Sequence, residues 1–254
     1  MTKDDKDRLK RLLNPPPAWS DWEISMILVG RPVSYVLVRL LHGVGWVTPN
    51  RVTILAFLSM LAASALVLWS PDQVAAICAL LTARMVLDDT DGMLARFRGQ
   101  CSVLGSYLDK VTDMLGFFAL FGAVGVRAAE QTGHPAYFVL SLSGACSLLL
   151  MGYVKHVAKV EELQAGVPQP ETKNASNDKT FPPFWTFLWK LVARVPAAME
   201  SDLVMAGAVG ALTGRWDILA WYYGALQGIG VLVQLFRRTQ IPAPARASPR
   251  PRRR

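Results

Sequence analysis

The chain has 254 residues, of which 52% are hydrophobic and only 18% charged, with a formal net charge of +8. Soluble domains carry about 25% charged residues, so an ordinary water-facing exterior is excluded and a bilayer is implied. The positive charge does not point to nucleic acid, because Lys and Arg flank apolar runs rather than interleaving with aromatics on one soluble face.

The first seventeen residues, MTKDDKDRLKRLLNPPP, are charged and then proline-rich, without an apolar stretch, so no cleavable signal peptide is expected. Residues 4–13 suit a short charged helix stopped by Pro15, Pro16 and Pro17. Residues 18–46 mix Trp19, Trp22 and Trp46 with apolar residues, Arg31 and Arg39, the pattern of two amphipathic helices lying at a membrane surface. The tripeptide TPN at 48–50 supplies a turn and a helix cap. Apolar runs of sufficient length for a hydrocarbon core of about 30 Å then follow. They predict spans at 51–70, 73–95, 103–127, 135–157, 199–213 and 217–236, the first two separated by a tight turn at Pro71 and Asp72.

Residues 158–198 form a longer connection, with a loop in GVPQPETKNASNDKTFPP and an interfacial helix in FWTFLWKLVARV. The tail RRTQIPAPARASPRPRRR is predicted to be disordered and drawn to anionic lipid by its charge. The fold class expected is therefore an all-α integral membrane protein with six transmembrane helices. Residues 1–47 form its N-terminal interfacial amphipathic helices, 48–236 the membrane domain and 237–254 a basic tail. The three cysteines, Cys78, Cys101 and Cys146, lack metal-ligand spacing and read as small buried hydrophobes.

Charge asymmetry predicts orientation. The connections near 71–74, 127–134 and 214–216 contain only Arg127 and Arg215, whereas Lys155, Lys159, Lys173, Lys179, Lys190, Arg194 and both termini fall on the other side. The positive-inside rule puts that richer side, and the acidic segment between the second and third spans, in the cytoplasm. An Ala- and Arg-rich composition favours a bacterial inner membrane over the endoplasmic reticulum.

That acidic segment, DDTDGMLARFRGQCSVLGSYLDKVTD, is the chemically informative part. Ionisable groups inside a membrane are costly and are functional-site hypotheses by default. Asp88 and Asp91, three apart, share a helix face; Gly105, Asp109 and Asp113 step by four along the next helix. Two facing pairs of carboxylates form a bowl for one or two Mg²⁺ or Mn²⁺ ions, two being the preferred count. Such ions handle phosphates, and Arg96 beside them is a donor fork for a phosphate or diphosphate. Asp113, deepest on its stripe, is the geometric candidate for a general base.

The residues also fit the pattern D-x-x-D-G-x-x-A-R-x8-G-x3-D-x3-D at Asp88, Asp91, Gly92, Ala95, Arg96, Gly105, Asp109 and Asp113. This resembles the signature of the CDP-alcohol phosphotransferase (CDP-alcohol phosphatidyltransferase) family. At roughly one chance in fifteen per position, eight matches arise on the order of once in 10⁹ starts, so accident is an inadequate explanation. A TPN-type start to the first span and the stretch GYVKHVAKVEE extend the similarity over residues 48–236, although only the motif is specific.

The resemblance implies that Asp88, Asp91 and Asp109 are metal ligands and that Asp113 is both ligand and base. It implies contacts to the CDP portion from Gly92, Ala95 and Arg96, room made by Gly105, and a reach to the cytidine by Asn50. The reaction implied is attack of an alcohol on the phosphate of a CDP-linked donor, with release of CMP, by a homodimer in phospholipid biosynthesis. CDP-diacylglycerol is the favoured donor. The alternative is a choline or ethanolamine phosphotransferase that uses diacylglycerol as acceptor.

Other residues admit blander readings. Asp89 is extra to the pattern and reads as a solvated or supporting acid. Arg84 is expected to pair with a carboxylate, and Lys110 to snorkel to the interface. Tyr153, Lys155 and Lys159 are candidates for binding the acceptor, although a positive-inside flank with His156 explains them equally well. Glu200 and Asp202, at the start of the fifth span, form an acidic entrance suited to a neutral or cationic alcohol. An isoprenoid-type DDxxD site fails, since Gly92 stands where its last acid belongs. A cation- or proton-coupled transporter leaves Arg96 without a role and lacks repeat symmetry, and an inert scaffold leaves the carboxylates unexplained.

Overall fold

A computed structural model describes Ser25 and residues 29–164 and 200–239. The expected helix at 4–13, the loop and interfacial helix within 165–199 and the basic tail lie outside the described residues. So does most of the first half of the expected amphipathic pair. Helix α1 (Arg31–Leu41) is the described part of that pair. It carries Pro32 in its first turn, buries Ser34 and Val38, and leaves Val33, Val36 and Leu40 exposed.

Helix α2 (Pro49–Trp69) starts where TPN predicts. The Thr48 hydroxyl accepts the Arg51 amide, and Pro49 occupies the first turn, where its missing N–H matters least. A turn at residues 70–73 leads into α3 (Val74–Arg98), which ends on Gly99 in the left-handed region (φ 68°), a conformation glycine adopts without penalty. Ser102 accepts the Gly105 amide at 3.0 Å and starts α4 (Val103–Thr132). Next come α5 (Ala136–Gln164) and α6 (Glu200–Thr213). The last element runs from α7 (Trp216–Trp221) through a π-helical turn (Tyr222–Leu226) into α8 (Gln227–Thr239).

Among the described residues, three helices are long and apolar enough to cross a membrane: α2, α4 and α5 as far as Glu161. The other three expected spans differ for separate reasons. Helix α3 has 25 residues but carries Arg84 near its middle and Asp88, Asp89 and Asp91 in its second half. Helix α6 is described over 14 residues, roughly 21 Å of rise, and residues 165–199 before it lie outside the described residues. The last expected span is continuous from Trp216 to Thr239, with a π-helical turn between α pieces of 6 and 13 residues. The cysteines also depart from expectation: Cys78 is half-buried, whereas Cys101 and Cys146 are exposed.

Helix α2 packs on α3 and α4, α4 on α5 and α7, α3 on α1 and α6, and α5 on the π turn. Their shared core centres on Met60, Ile77, Leu81, Phe117, Leu120, Phe121, Leu203 and Tyr223. Tyr223 stacks on Phe121 with ring centroids 3.8 Å apart, and its hydroxyl donates to the Leu203 carbonyl at 2.9 Å. Small residues let the backbones meet. A Cβ on Gly144 would lie 2.2 Å from the Tyr223 carbonyl oxygen, and one on Gly224 would lie 2.1 Å from that of Leu140.

Arg98 fastens the cytoplasm-facing end predicted from the charge pattern. Its guanidinium donates to the carbonyls of Leu41 (2.7 Å), His42 (3.2 Å), Val44 (3.0 Å) and Val47 (2.5 Å). The loop from α1 to α2 is thereby held against the end of α3, over a cluster of Val38, Val47, Val52, Met93, Leu94 and Phe97.

The glycine contacts make one stability prediction. Gly144→Ala forces backbone against backbone and is expected to destabilise by about 3 kcal/mol or more. Gly228→Ala, with nothing within 4 Å of the new methyl, is expected to be neutral or slightly stabilising. Thermal unfolding in detergent micelles compares the two; equal midpoints would refute the close approach.

Candidate active site

The site is built on the α3–α4 hairpin, whose turn is Gly99–Ser102. Asp88 and Asp91 lie on α3, and Asp109 and Asp113 on α4. Carboxylate oxygens of Asp88, Asp91 and Asp109 all come within 4.8 Å of one another. The Thr53 hydroxyl, reaching from α2, donates to Asp91 Oδ2. Asp113 is not one of these three. Its Oδ1 lies 2.5 Å from Arg84 Nη2, while Arg84 Nη1 lies 2.8 Å from Asp88 Oδ1.

Arg84 is only 3% exposed, so its charge is compensated by these two carboxylates rather than by water. The expectation that it pairs is met, and it pairs across two helices at once. Four carboxylates against one guanidinium still leave an excess of negative charge. Such crowding is tolerated when a cation shares the space, and the converging donors are all hard carboxylate oxygens, the set that Mg²⁺ and Mn²⁺ take. The residues present therefore fit a divalent ion, with Asp88, Asp91 and Asp109 as its holders.

Beside the acids opens a cleft of about 170 Å³ whose lining includes Asn50, Thr53, Asp91, Gly92, Ala95, Arg96, Ser102, Gly105 and Asp109. All five positions expected to meet the CDP portion (Asn50, Gly92, Ala95, Arg96 and Gly105) thus face one cavity. A Cβ on Gly105 would sit 3.1 Å from Ser102 Oγ and 3.2 Å from Asn50 Oδ1, so any larger residue there would fill the space between them. A Cβ on Gly92 would meet the Arg96 guanidinium at 3.3 Å.

The acceptor candidates lie elsewhere. Tyr153 and Lys159 are exposed on α5 and do not line this cleft, and the side chain of Lys155 is outside the described residues. Lys110 is exposed, as snorkelling requires. Of the two readings of Asp89, solvated or supporting, the solvated one does not hold: it is 8% exposed and turned toward α1. The residue reading did not single out Thr53, although it lies three positions after Asn50 on the same face of α2. Nor did it anticipate that Glu200, on α6, comes close enough to act on the charges of both Arg84 and Asp113.

Comparison with known proteins agrees with this geometry. The family model described as CDP-alcohol phosphatidyltransferase matches residues 46–213, which include every residue of the acid cluster and the cleft. No curated protein matches the chain.

Arg84 and a bound ion are two ways to neutralise the same carboxylates. Arg84→Met is expected to destabilise the ion-free protein by about 3–5 kcal/mol, the range for removing one partner of a buried charge pair. Adding Mg²⁺ should raise the unfolding midpoint of the variant more than that of the unaltered protein. A midpoint indifferent to Mg²⁺ in both would speak against the acids as an ion site.

Proposed function

We propose that this chain, which belongs to the CDP-alcohol phosphatidyltransferase family, moves a phosphatidyl group from CDP-diacylglycerol to a small neutral or cationic alcohol. Members of the family are transferases of substituted phosphate groups, using a CDP-alcohol donor and an alcohol acceptor. The observation that carries the finer reading is the meeting of Asp88, Asp91 and Asp109 at the wall of a single cleft that Asn50, Gly92, Ala95, Arg96 and Gly105 also line. The surrounding proposal is a six-span homodimer with its site on the cytoplasmic face, in a bacterial inner membrane.

In this reading Arg96 grips the diphosphate as a donor fork. Asn50 reaches the cytidine, and Gly92 and Gly105 leave the floor of the cleft clear for it. Mg²⁺ or Mn²⁺ held by Asp88, Asp91 and Asp109, with Asp113 joining for a second ion, would neutralise the diphosphate and the charge developing on the CMP leaving group. Asp113 is held through Oδ1 by Arg84, which leaves Oδ2 for the proton of the acceptor hydroxyl. The alcohol oxygen forms a bond to the phosphorus that carries the diacylglycerol, the bond from that phosphorus to the CMP oxygen breaks, and the proton rests on Asp113. The acidic side chain of Glu200 acts on this end of the site, which disfavours an anionic acceptor.

The test is CMP release from CDP-diacylglycerol with Mg²⁺ across a panel of alcohols. Neutral or cationic alcohols are expected to turn over, and Asp113→Asn to lower kcat by about 10²–10⁴. No CMP from any CDP-linked donor, with Asp113→Asn inert, would overturn the reaction. Turnover with glycerol phosphate or inositol phosphate, and with no uncharged alcohol, would overturn the acceptor class alone.

A further inference from the structure

Arg98 stands two positions beyond the last α3 residue of the eight-position pattern. Among the described residues no carboxylate pairs with it. Its guanidinium is directed instead at neutral carbonyls, those of Leu41 (2.7 Å), His42 (3.2 Å), Val44 (3.0 Å) and Val47 (2.5 Å). The first two close α1, where the last carbonyls lack partners within the helix and the helix dipole favours a positive charge. A planar fork can serve four oxygens of one loop, whereas an ammonium on a flexible stem is a single point. The same loop is held from its other side as well: Arg51, in the first turn of α2, donates to the Trp46 carbonyl at 2.5 Å.

What this loop delivers is a wall of the cleft. It ends at Thr48, the cap of α2, and α2 opens with Pro49 and Asn50, both of which line the cleft. Ser102 of the hairpin turn faces Asn50 across Gly105, where a Cβ would lie 3.1 Å from Ser102 Oγ and 3.2 Å from Asn50 Oδ1. Two hydrogen-bonded points tie this start of α2 to α3. Beside the acids, Thr53 donates to Asp91. At the end of the helix, Arg98 holds the loop that feeds α2. Asp91 and Arg98 are seven positions apart, roughly 10 Å along the helix axis. The cleft is thus fastened near its ion-holding end and again at its outer edge.

We propose that Arg98 is a positioning residue for the nucleoside end of the cleft: by holding the α1–α2 loop on the end of α3, it sets where Asn50 stands opposite Ser102. The inference rests on the assignment of the cleft to a CDP-linked donor, and it adds a residue that the family pattern does not contain. Arg98 never touches substrate. A wall fixed in advance spares the ordering cost that binding otherwise carries. Its effect therefore falls on the affinity for the cytidine portion, while the diphosphate and its ion are held from the other end by the acids and Arg96.

The test is calorimetric binding of two probes, CDP and inorganic pyrophosphate, each with Mg²⁺, to the full chain in detergent, with thermal unfolding recorded alongside. Arg98→Lys keeps the charge and loses the fork. It is expected to bind CDP about tenfold more weakly, on the scale of one hydrogen bond from a charged group, and pyrophosphate as the unaltered protein does. Adding Arg98→Lys to Asn50→Ala should cost no further CDP affinity. Unchanged CDP affinity in Arg98→Lys would overturn the proposal. So would equal losses for CDP and pyrophosphate, because a general loosening of the bundle weakens both alike, and so would full additivity with Asn50→Ala. Should Arg98→Lys fail to fold, Arg51→Gln decides, since it frees the same loop from an exposed position. About threefold weaker CDP binding is expected there, with pyrophosphate unaffected; CDP affinity equal to that of the unaltered protein overturns the proposal. Absence of CDP binding in the unaltered protein would remove the assignment of the cleft, and the proposal with it; that result is distinct from a failure at Arg98 alone.

Discussion

One buried guanidinium organises the chemistry of this protein. Arg84 is almost fully removed from water and spends both terminal nitrogens on carboxylates from different helices, Asp88 on α3 and Asp113 on α4. Removing Arg84 would strand two uncompensated carboxylates inside the bundle. The bridge therefore fixes the rotation of α3 against α4, and with it the direction of every other acid on the hairpin. Asp91 and Asp109 converge with Asp88 as a consequence of that rotation, steadied from α2 by Thr53.

Such a bridge needs stiff surroundings, and two packing devices supply them. On one side, Gly144 and Gly224 bring α5 and the π turn into backbone contact, closing the core around Tyr223 and Phe121. At the other end, Arg98 gathers four carbonyls of the α1–α2 connection, which otherwise have no partner in a helix. Arg84 and Arg98 are thus two arginines of one helix with opposite tasks. The first neutralises acids in the interior, and the second satisfies backbone at the rim.

Much of this was legible in the sequence because it is periodic or local. The spacing of Asp88, Asp91, Asp109 and Asp113 specifies faces on two helices, and the TPN cap marks a helix start that the structure keeps. The five cleft residues were named as a set by the family resemblance, and the structure places all five along one cleft. What stayed hidden depends on contacts between distant segments. The approach of Glu200 to Arg84 is set by how α6 lies on α3, which no spacing encodes. The burial of Asp89 depends on where α1 docks. Counting apolar runs also misjudges helices whose burial is internal, and α3 is such a helix.

The case of α3 shows why hydropathy and burial part company here. Its circumference is divided between two buried faces. Arg84, Asp88, Asp91 and Ala95 look toward α2, α4 and the cleft, whereas Asp89, Met93, Leu94 and Phe97 look toward α1 and its loop. A helix covered on both sides needs little lipid-facing surface, so its charges are paid for by protein partners rather than excluded by the bilayer. That relieves α3 of the apolar composition that α2 and α5 must keep, and frees it to carry an arginine and three aspartates within eight residues. The density of acid that makes the site chemically capable is therefore a product of where α3 sits in the bundle. Moved to the periphery, the same sequence would face lipid with unpaired charge.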